Sequence, residues 1–531
     1  MTLGFSDRSR SGVRFRFLLS LALILLSPFS FRYSLVAQEE SPAVYDLTME
    51  SMVELIMDNS FTIRRLRLEL ERDRHNLKAE RSRMKSSVDL EVTLPAFRMT
   101  SEPKWNSTLQ RNEIVQENTR RWEGELSIRQ PVILFGYPTN GYLSINNRMY
   151  RYDQVDDDGT KDTNYYNRYY ISYSQPLFQP NTLKNALEQA ELNLEETQLD
   201  FYDDVVDIVA SVSDGYHSLF GQYYERTIRE ETIRDIERAL ALAERLAGSD
   251  STRAVDIEQI QIELANAQED LQRTESSIRT FVSFLKRELG LAEADSVSFE
   301  PVFQLDPVPV DMDVAGRYAL DLTPRMRQMD IDLRNQEIRL DRTKSRGGFR
   351  MNLNMSYGRE RLDDVFTHIW REPDQSYTLT ISTYLPIWDW GERKARIASS
   401  RIGIEQTRLR IEETRLGIIS GVRNEVLNVQ DRESRTMAMQ ENLELARNIT
   451  ETSFQRYGDG VITALDLLLS IRRESDTAGN FLQAYLSWKG SLSDLQRQTF
   501  FSFERDQPLL EWFRTEGWVP ENGLEGFGRG T

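Results

Sequence analysis

The sequence predicts an α+β membrane protein: strands from several protomers close a transmembrane β-barrel, and long coiled-coil helical hairpins continue it as a helical barrel. Three observations carry the expectation. They are a unit repeated at a period of 210 residues, two Pro-free helical stretches of about 65 residues, and six amphipathic strand-like segments.

The chain opens on a charged, apolar, small-residue order. Arg8, Arg10, Arg14 and Arg16 precede the apolar run Phe17 to Phe29, and Leu35-Val36-Ala37 follows. That order reads as a secretory signal peptide over residues 1–37, the run being too short for a membrane helix of ~20 residues. The leader carries a net +4, so removing it takes the formal charge from −18 to about −22. So acidic a surface repels nucleic acid. Cysteine is absent, which excludes disulfides and thiolate metal sites.

The repeat is read from landmarks. Pro176 to Gly248 and Pro386 to Gly458 are both 72 residues, and Pro176 to Asp256 and Pro386 to Asp466 are both 80. Upstream, Leu66, Leu70 and Leu77 fall on Met329, Leu333 and Leu340, and between these points and the prolines the first half is 53 residues longer. The repeat predicts a first unit at 38–300, a second at 301–500 and a C-terminal tail at 501–531. The surplus is a discrete insertion in the first.

Each proline precedes a long helix. Leu183 to Ala247 repeats apolar residues at steps of three, four and seven, and Glu392 to Tyr457 is equally long. At ~1.5 Å per residue each spans about 100 Å, a length that requires coiled-coil partners. Gly248 in the first half and Gly458-Asp459-Gly460 in the second mark tight turns, Gly458 and Gly460 being read as left-handed backbone positions. A second helix follows each turn, so each half holds a hairpin with a distal tip.

The remaining segments alternate with period two. Val88 to Ala96, Trp122 to Val132, Leu143 to Met149, Tyr165 to Tyr173, Phe349 to Tyr357 and Tyr377 to Leu385 each place apolar side chains on one face. Short tyrosine-rich amphipathic strands suit a membrane barrel, although a soluble β-sandwich gives the same alternation. Connections at 98–121, 151–163 and 358–376 read as long polar external loops, and 134–140 as a short turn. Six strands cannot close a useful barrel alone, so several chains share one.

This combination resembles the TolC-like outer-membrane efflux proteins over nearly the whole mature chain. Leu385-Pro386-Ile387-Trp388-Asp389-Trp390-Gly391 is similar to the family's strand-to-helix junction, Arg456 through Asp466 to its second hairpin tip, and Leu47-Thr48-Met49-Glu50 to its opening segment. The resemblance implies a homotrimer in the outer membrane with a periplasmic helical tunnel and a gate at the tips. It implies two partners, a periplasmic adaptor and an inner-membrane pump, and a role as exit duct in efflux or type I secretion, with no cofactor and no catalysis. The family usually supplies four strands per chain; six are counted here, for 18 per trimer unless the extra hairpin extends outside the membrane.

Asp256 and Asp466 follow their tips at equal distance. They read as a gate ring of carboxylates or, equally, as helix caps. Asp250 stands where the family's first-tip glycine aligns, two residues after Gly248. Family position makes Arg456, Tyr457, Val461 and Ile462 adaptor-docking candidates, with surface packing the alternative. Trp388 and Trp390 suit an interfacial belt or a packed core. Glu123, Glu125, Arg129, Arg168 and Arg350 should face the lumen. His75, His217 and His368 make no metal spacing. The rival reading is a periplasmic coiled-coil adaptor or scaffold, which would need one hairpin between compact β domains.

Overall fold

The computed structural model describes residues 44–106, 108, 110–155, 161–247 and 254–517. The expected leader, Gly248, Asp250 and the Asp156-Asp157-Asp158 run lie outside these residues.

The first half runs β1 (Val44–Asp46), α1 (Met49–Asn59), α2 (Phe61–Ser82), β2 (Ser87–Asn106), β3 (Arg111–Leu134), β4 (Tyr137–Val155), β5 (Lys161–Leu177), α3 (Thr182–Ala247) and α4 (Ala254–Glu288). The second runs β6 (Ser296–Ser298), α5 (Met312–Asp321), α6 (Arg325–Ser345), β7 (Arg350–Asp363), β8 (Asp374–Tyr384), α7 (Glu392–Gly458) and α8 (Ala464–Thr499). A strand pair, β9 (Phe501–Ser502) with β10 (Gln507–Pro508), and α9 (Leu509–Thr515) close the chain. The order of two short helices, strands, long helix and return helix occurs twice. β1 and β6 pair in parallel, Val44 opposite Ser296, and tie the openings of the two halves together.

Local signals set the helices. Thr48 and Ser51 form a reciprocal capping box at α1, and the Asp311 carboxylate accepts from the N–H groups of Asp313 and Val314 at 3.0 and 2.9 Å. Along α7, Val422, Val429, Thr436, Leu443, Thr450 and Tyr457 are all buried, one every seven residues. That strict heptad is the seam of a left-handed coiled coil and explains how a 67-residue helix stays straight enough to pack along its length.

The main core lies where the hairpin helices meet the short ones. Residues 299–311 cross it as an irregular strap pinned by Phe303. Its ring lies 4.9 Å from Phe220, 4.6 Å from Tyr224, 5.0 Å from Phe481 and 4.8 Å from Tyr485. Beneath it Trp488 is fully buried, with the Lys489 ammonium 5.0 Å from its ring centre and 2.8 Å from Glu504. Trp512 and Phe513 of α9 join the same core. Residues 501–517, the described part of the C-terminal tail, are therefore packed structure.

This core also holds His217, whose Nδ1–H donates to the Ser213 carbonyl at 2.8 Å. Burial pushes the imidazole down to about 4, while burial pushes the Asp203 and Asp235 carboxyls up, each to about 6. A histidine held neutral contributes stability that is complete above its unfolded value near 6.5 and is lost as pH falls towards 4. The two aspartates act oppositely, gaining stability as pH falls below 6. A His217→Gln variant is therefore expected to resist acid better than the parent, by about 2–3 kcal/mol at pH 4.5 relative to pH 7. Denaturant midpoints at the two pH values check this, and equal pH dependence in both proteins would reject it.

The six long strands form one antiparallel sheet in the order β2-β3-β4-β5-β7-β8. β3 and β4 are joined by Phe135 and Gly136 alone, at φ +52° and +83°, the left-handed pair of a type I′ hairpin turn. Two of the connections expected as loops are mostly strand. β2 and β3 stay paired to Asn106 and Arg111, and β4 and β5 to Val155 and Lys161. Polar side chains made these stretches look like loops, yet backbone pairing continues beyond the apolar band. In 358–376, β7 extends to Asp363 and a 3-10 turn, Phe366–Trp370, lies against β5, Phe366 and Trp370 packing on Tyr165 and Tyr169.

A one-residue bulge between Thr93 and Ala96 turns Ala96 to the opposite face from Val88, Leu90 and Val92, where simple alternation had placed it with them. After the bulge Phe97 and Met99 occupy the apolar face instead.

Candidate channel wall and hairpin tips

Cross-strand register defines the two faces of the sheet. Val88, Ile128, Ile145, Ile171, Tyr357 and Tyr377 stand directly opposite one another in turn, one row crossing all six strands. All six are exposed, a continuous apolar surface that nothing among the described residues covers. A row on the opposite face reads Glu91, Glu125, Arg148, Arg168, Glu360 and Asp374.

This second face is tied by charge. Glu123 pairs with Arg121 at 3.0 Å and with Arg148, and Arg168 reaches Glu360 at 3.5 Å. The Tyr170 hydroxyl donates to Glu125 at 2.8 Å, and Tyr166 donates to Glu360. Glu123, Glu125, Arg129, Arg168 and Arg350 all belong to this face by register, as the alternation predicts. A sheet apolar on one side and ion-paired on the other separates hydrocarbon from water.

The sheet is clamped to the helices. Asn140, at φ +66° and almost buried, accepts from the N–H and hydroxyl of Thr182 at 3.2 and 2.6 Å and donates to the Pro180 carbonyl at 3.2 Å. Asn181 caps α3 by accepting from the Lys184 N–H at 3.0 Å. At the second junction Asp389 accepts from the N–H groups of Gly391 and Arg393, at 2.9 and 3.2 Å, where Gly391 supplies a φ of +85°. Trp388 and Trp390 are 74% and 90% exposed, so neither lies in a core of this chain.

At the far end the two hairpins meet in a small core of Ile236, Ala239, Ala243, Ile260, Phe454, Tyr457, Ala464, Leu467 and Ile471. α7 stops in a Schellman motif: the Val461 N–H donates to the Arg456 carbonyl at 2.8 Å, and the Gly460 N–H to Tyr457 at 3.0 Å. Only Gly460 is left-handed, at φ +73°. Gly458 is the last residue of the helix, which corrects the expectation of two left-handed glycines.

Asp466 closes a capping box with Thr463. Its carboxylate accepts from the Thr463 N–H at 3.0 Å and the hydroxyl at 2.8 Å, which holds it below the usual carboxylate range. The side chain is nonetheless exposed. Asp256 sits in the first turn of α4 and accepts from the Tyr457 hydroxyl at 3.3 Å, a bond from one hairpin to the other. Tyr457 is wholly buried and cannot itself meet a partner in this conformation, whereas Arg456 and Val461 are exposed and Ile462 is half-buried. Arg238 and Glu451 add a bidentate pair between the hairpins, at 2.7 and 2.9 Å.

The family model for "Outer membrane efflux protein" matches residues 52–290 and 319–499, both halves of the duplication. The chain belongs to that family. Its members are channels of the outer membrane, and membership indicates the outer membrane for this chain as well. No curated protein sequence matches it. Among solved structures the fold is similar to the Campylobacter jejuni CmeC outer membrane channel, at 12% identity and TM-score 0.63 over 91% of this chain and 90% of that one. It is also similar to CusC, at 14% identity and TM-score 0.63 over 87% and 95%, and to VceC of Vibrio cholerae, at 11% and 0.60 over 86% and 95%.

Set in this family, the chain separates what sequence could find from what it could not. The tip aspartates were found from their spacing. The Asn140 clamp was missed, although Asn-Gly after a short turn is a left-handed signal. The cross-hairpin bond of Tyr457 joins residues 201 apart and has no local signature. Among the described residues no group of three or more acidic or histidine side chains is gathered for a metal.

Proposed function

We propose that three copies of this chain close a barrel in the outer membrane and a helical tunnel in the periplasm. The trimer would be the passive exit duct of a tripartite efflux or type I secretion system. The tips dock a periplasmic adaptor, which links the duct to an inner-membrane pump, and the protomer performs no reaction. The observation that carries this reading is the pairing of one membrane-type sheet with two matched hairpins that share a core near their far ends. A periplasmic adaptor would not expose an apolar face across six strands.

The docking surface is assigned to Arg456, Val461 and Ile462 at the second tip. A photo-crosslinker at Val461 is expected to capture an adaptor in intact cells, and the protein to be recovered from outer membranes as an oligomer. Cross-links confined to other copies of the chain would reject docking there, and a soluble periplasmic monomer would reject the duct itself.

The gate is assigned to the exposed carboxylates near the tips. Asn can take the place of Asp466 in the capping box, because its amide oxygen still accepts from Thr463, so Asp466→Asn removes charge and leaves the helix start intact. The variant is expected to lose part of its cation preference in planar bilayers. Unchanged reversal potentials would remove Asp466 from the gate.

A further inference from the structure

We infer that all six strands of each protomer enter the membrane wall, with β8 of one copy pairing along the free edge of β2 in the next. Three copies then close a barrel of 18 strands, because each sheet holds six. This rests on the trimeric duct proposed above and adds the occupant of its two open edges. The occupant is a second copy of this chain.

The apolar row is the first argument. It crosses β2 and β3 at the same height as β4, β5, β7 and β8, and at its ends Val88 is 65% and Tyr377 81% exposed. A β2–β3 ribbon held outside the membrane would leave Val88, Leu90 and Val92 in water. The bulge is the second. It contains Pro95, a position that tolerates a missing N–H, and it restores Phe97 and Met99 to the apolar face. A ribbon wetted on both faces has no need of that correction.

Continuity of pairing is the third. A wall of four strands per copy would run from β4 to β8 and need a free edge on β4. That edge is bonded to β3 from Asn118 to Pro131. Among the described residues β2 pairs only with β3 and β8 only with β7, so the unpaired edges lie at opposite ends of one sheet. Unpaired edges inside a membrane leave backbone groups with no water to bond, a costly state that closure onto another copy removes. At ~4.7 Å between strands and a tilt of ~40°, 18 strands give a backbone radius of about 18 Å against about 12 Å for 12 strands, roughly twice the cross-section.

The absence of native cysteine makes the test direct. Asp89, Glu91 and Thr93 on β2 are each replaced by Cys in combination with Cys at Thr378, Thr380 or Ser382 on β8, all on the polar face. Copper-phenanthroline oxidation of the full chain in outer membranes is expected to convert at least one combination into a reducible dimer-and-trimer ladder on denaturing gels. A matching panel places the first cysteine at Ser144 on β4. A ladder from the Ser144 panel, or a native trimer with no ladder from any β2 combination, overturns the six-strand wall and leaves the trimeric duct standing. Monomers alone under native conditions overturn both.

Discussion

Gly358→Ala is expected to abolish stable assembly of the sheet. A Cβ at this position would lie 2.3 Å from the Tyr169 carbonyl oxygen and 2.6 Å from the Tyr170 Cβ. The first of these is backbone, so no rotamer change relieves it. Among the described residues, the strand pair involved, β5 with β7, is where the six-stranded sheet joins the strands of the first half to those of the second. Ordinary overpacking costs about 1–3 kcal/mol, and a backbone clash in a paired strand exceeds that. The expected result is at least a tenfold loss of heat-resistant folded protein in outer-membrane extracts, seen as the loss of the gel-shifted band. Gly124→Ala is the control, because a Cβ there meets nothing within 4 Å. Normal yield of Gly358→Ala would show that β5 and β7 separate further than their register implies.

Trp488→Ala is expected to lower stability by about 3–5 kcal/mol, the range for removing a buried indole from a packed core. The side chain is fully buried beside Tyr485, and its ring lies beneath the Lys489 ammonium. Truncation therefore leaves a void and takes away an aromatic partner of a nearly buried cation. Guanidinium unfolding followed by the helical circular dichroism signal in detergent measures the loss. Trp390→Ala, at an exposed ring, is the comparison and should shift the midpoint by no more than about 0.5 kcal/mol. Equal effects of the two substitutions would remove Trp488 from the core.

The long elements were legible because their signals are periodic and local. The break-free run from Leu183 to Ala247 and the equal spacings from Pro176 and Pro386 predict helices that the structure places at Thr182–Ala247 and Glu392–Gly458. The six-strand count follows equally from alternation. Strand ends were less legible, since polar residues outnumber apolar ones in 98–106 and 111–121 and only backbone pairing reveals these stretches as strand. Ala96 went to the wrong face because a bulge adds one residue without any change in composition. At the second tip, Asp466 stands out by the repeat spacing and Gly460 by short-range turn chemistry. The burial of Tyr457 does not, because it depends on Ile236, Ala239 and Ile260, which come from the other hairpin.

The two-residue turn at Phe135-Gly136 joins a pair of antiparallel strands, one in each direction. Both long helices must leave the sheet on the same side as the short helices enter it. An inserted single strand would deliver α3 to the wrong side of the membrane, so insertions are confined to even numbers. Pore calibre in the trimeric barrel proposed above would therefore be quantised: one hairpin per copy is the smallest increment, and three identical copies would turn it into six strands of circumference. A channel built this way has no intermediate widths available to it by adding strands, and any finer adjustment must come from the side chains on its inner wall.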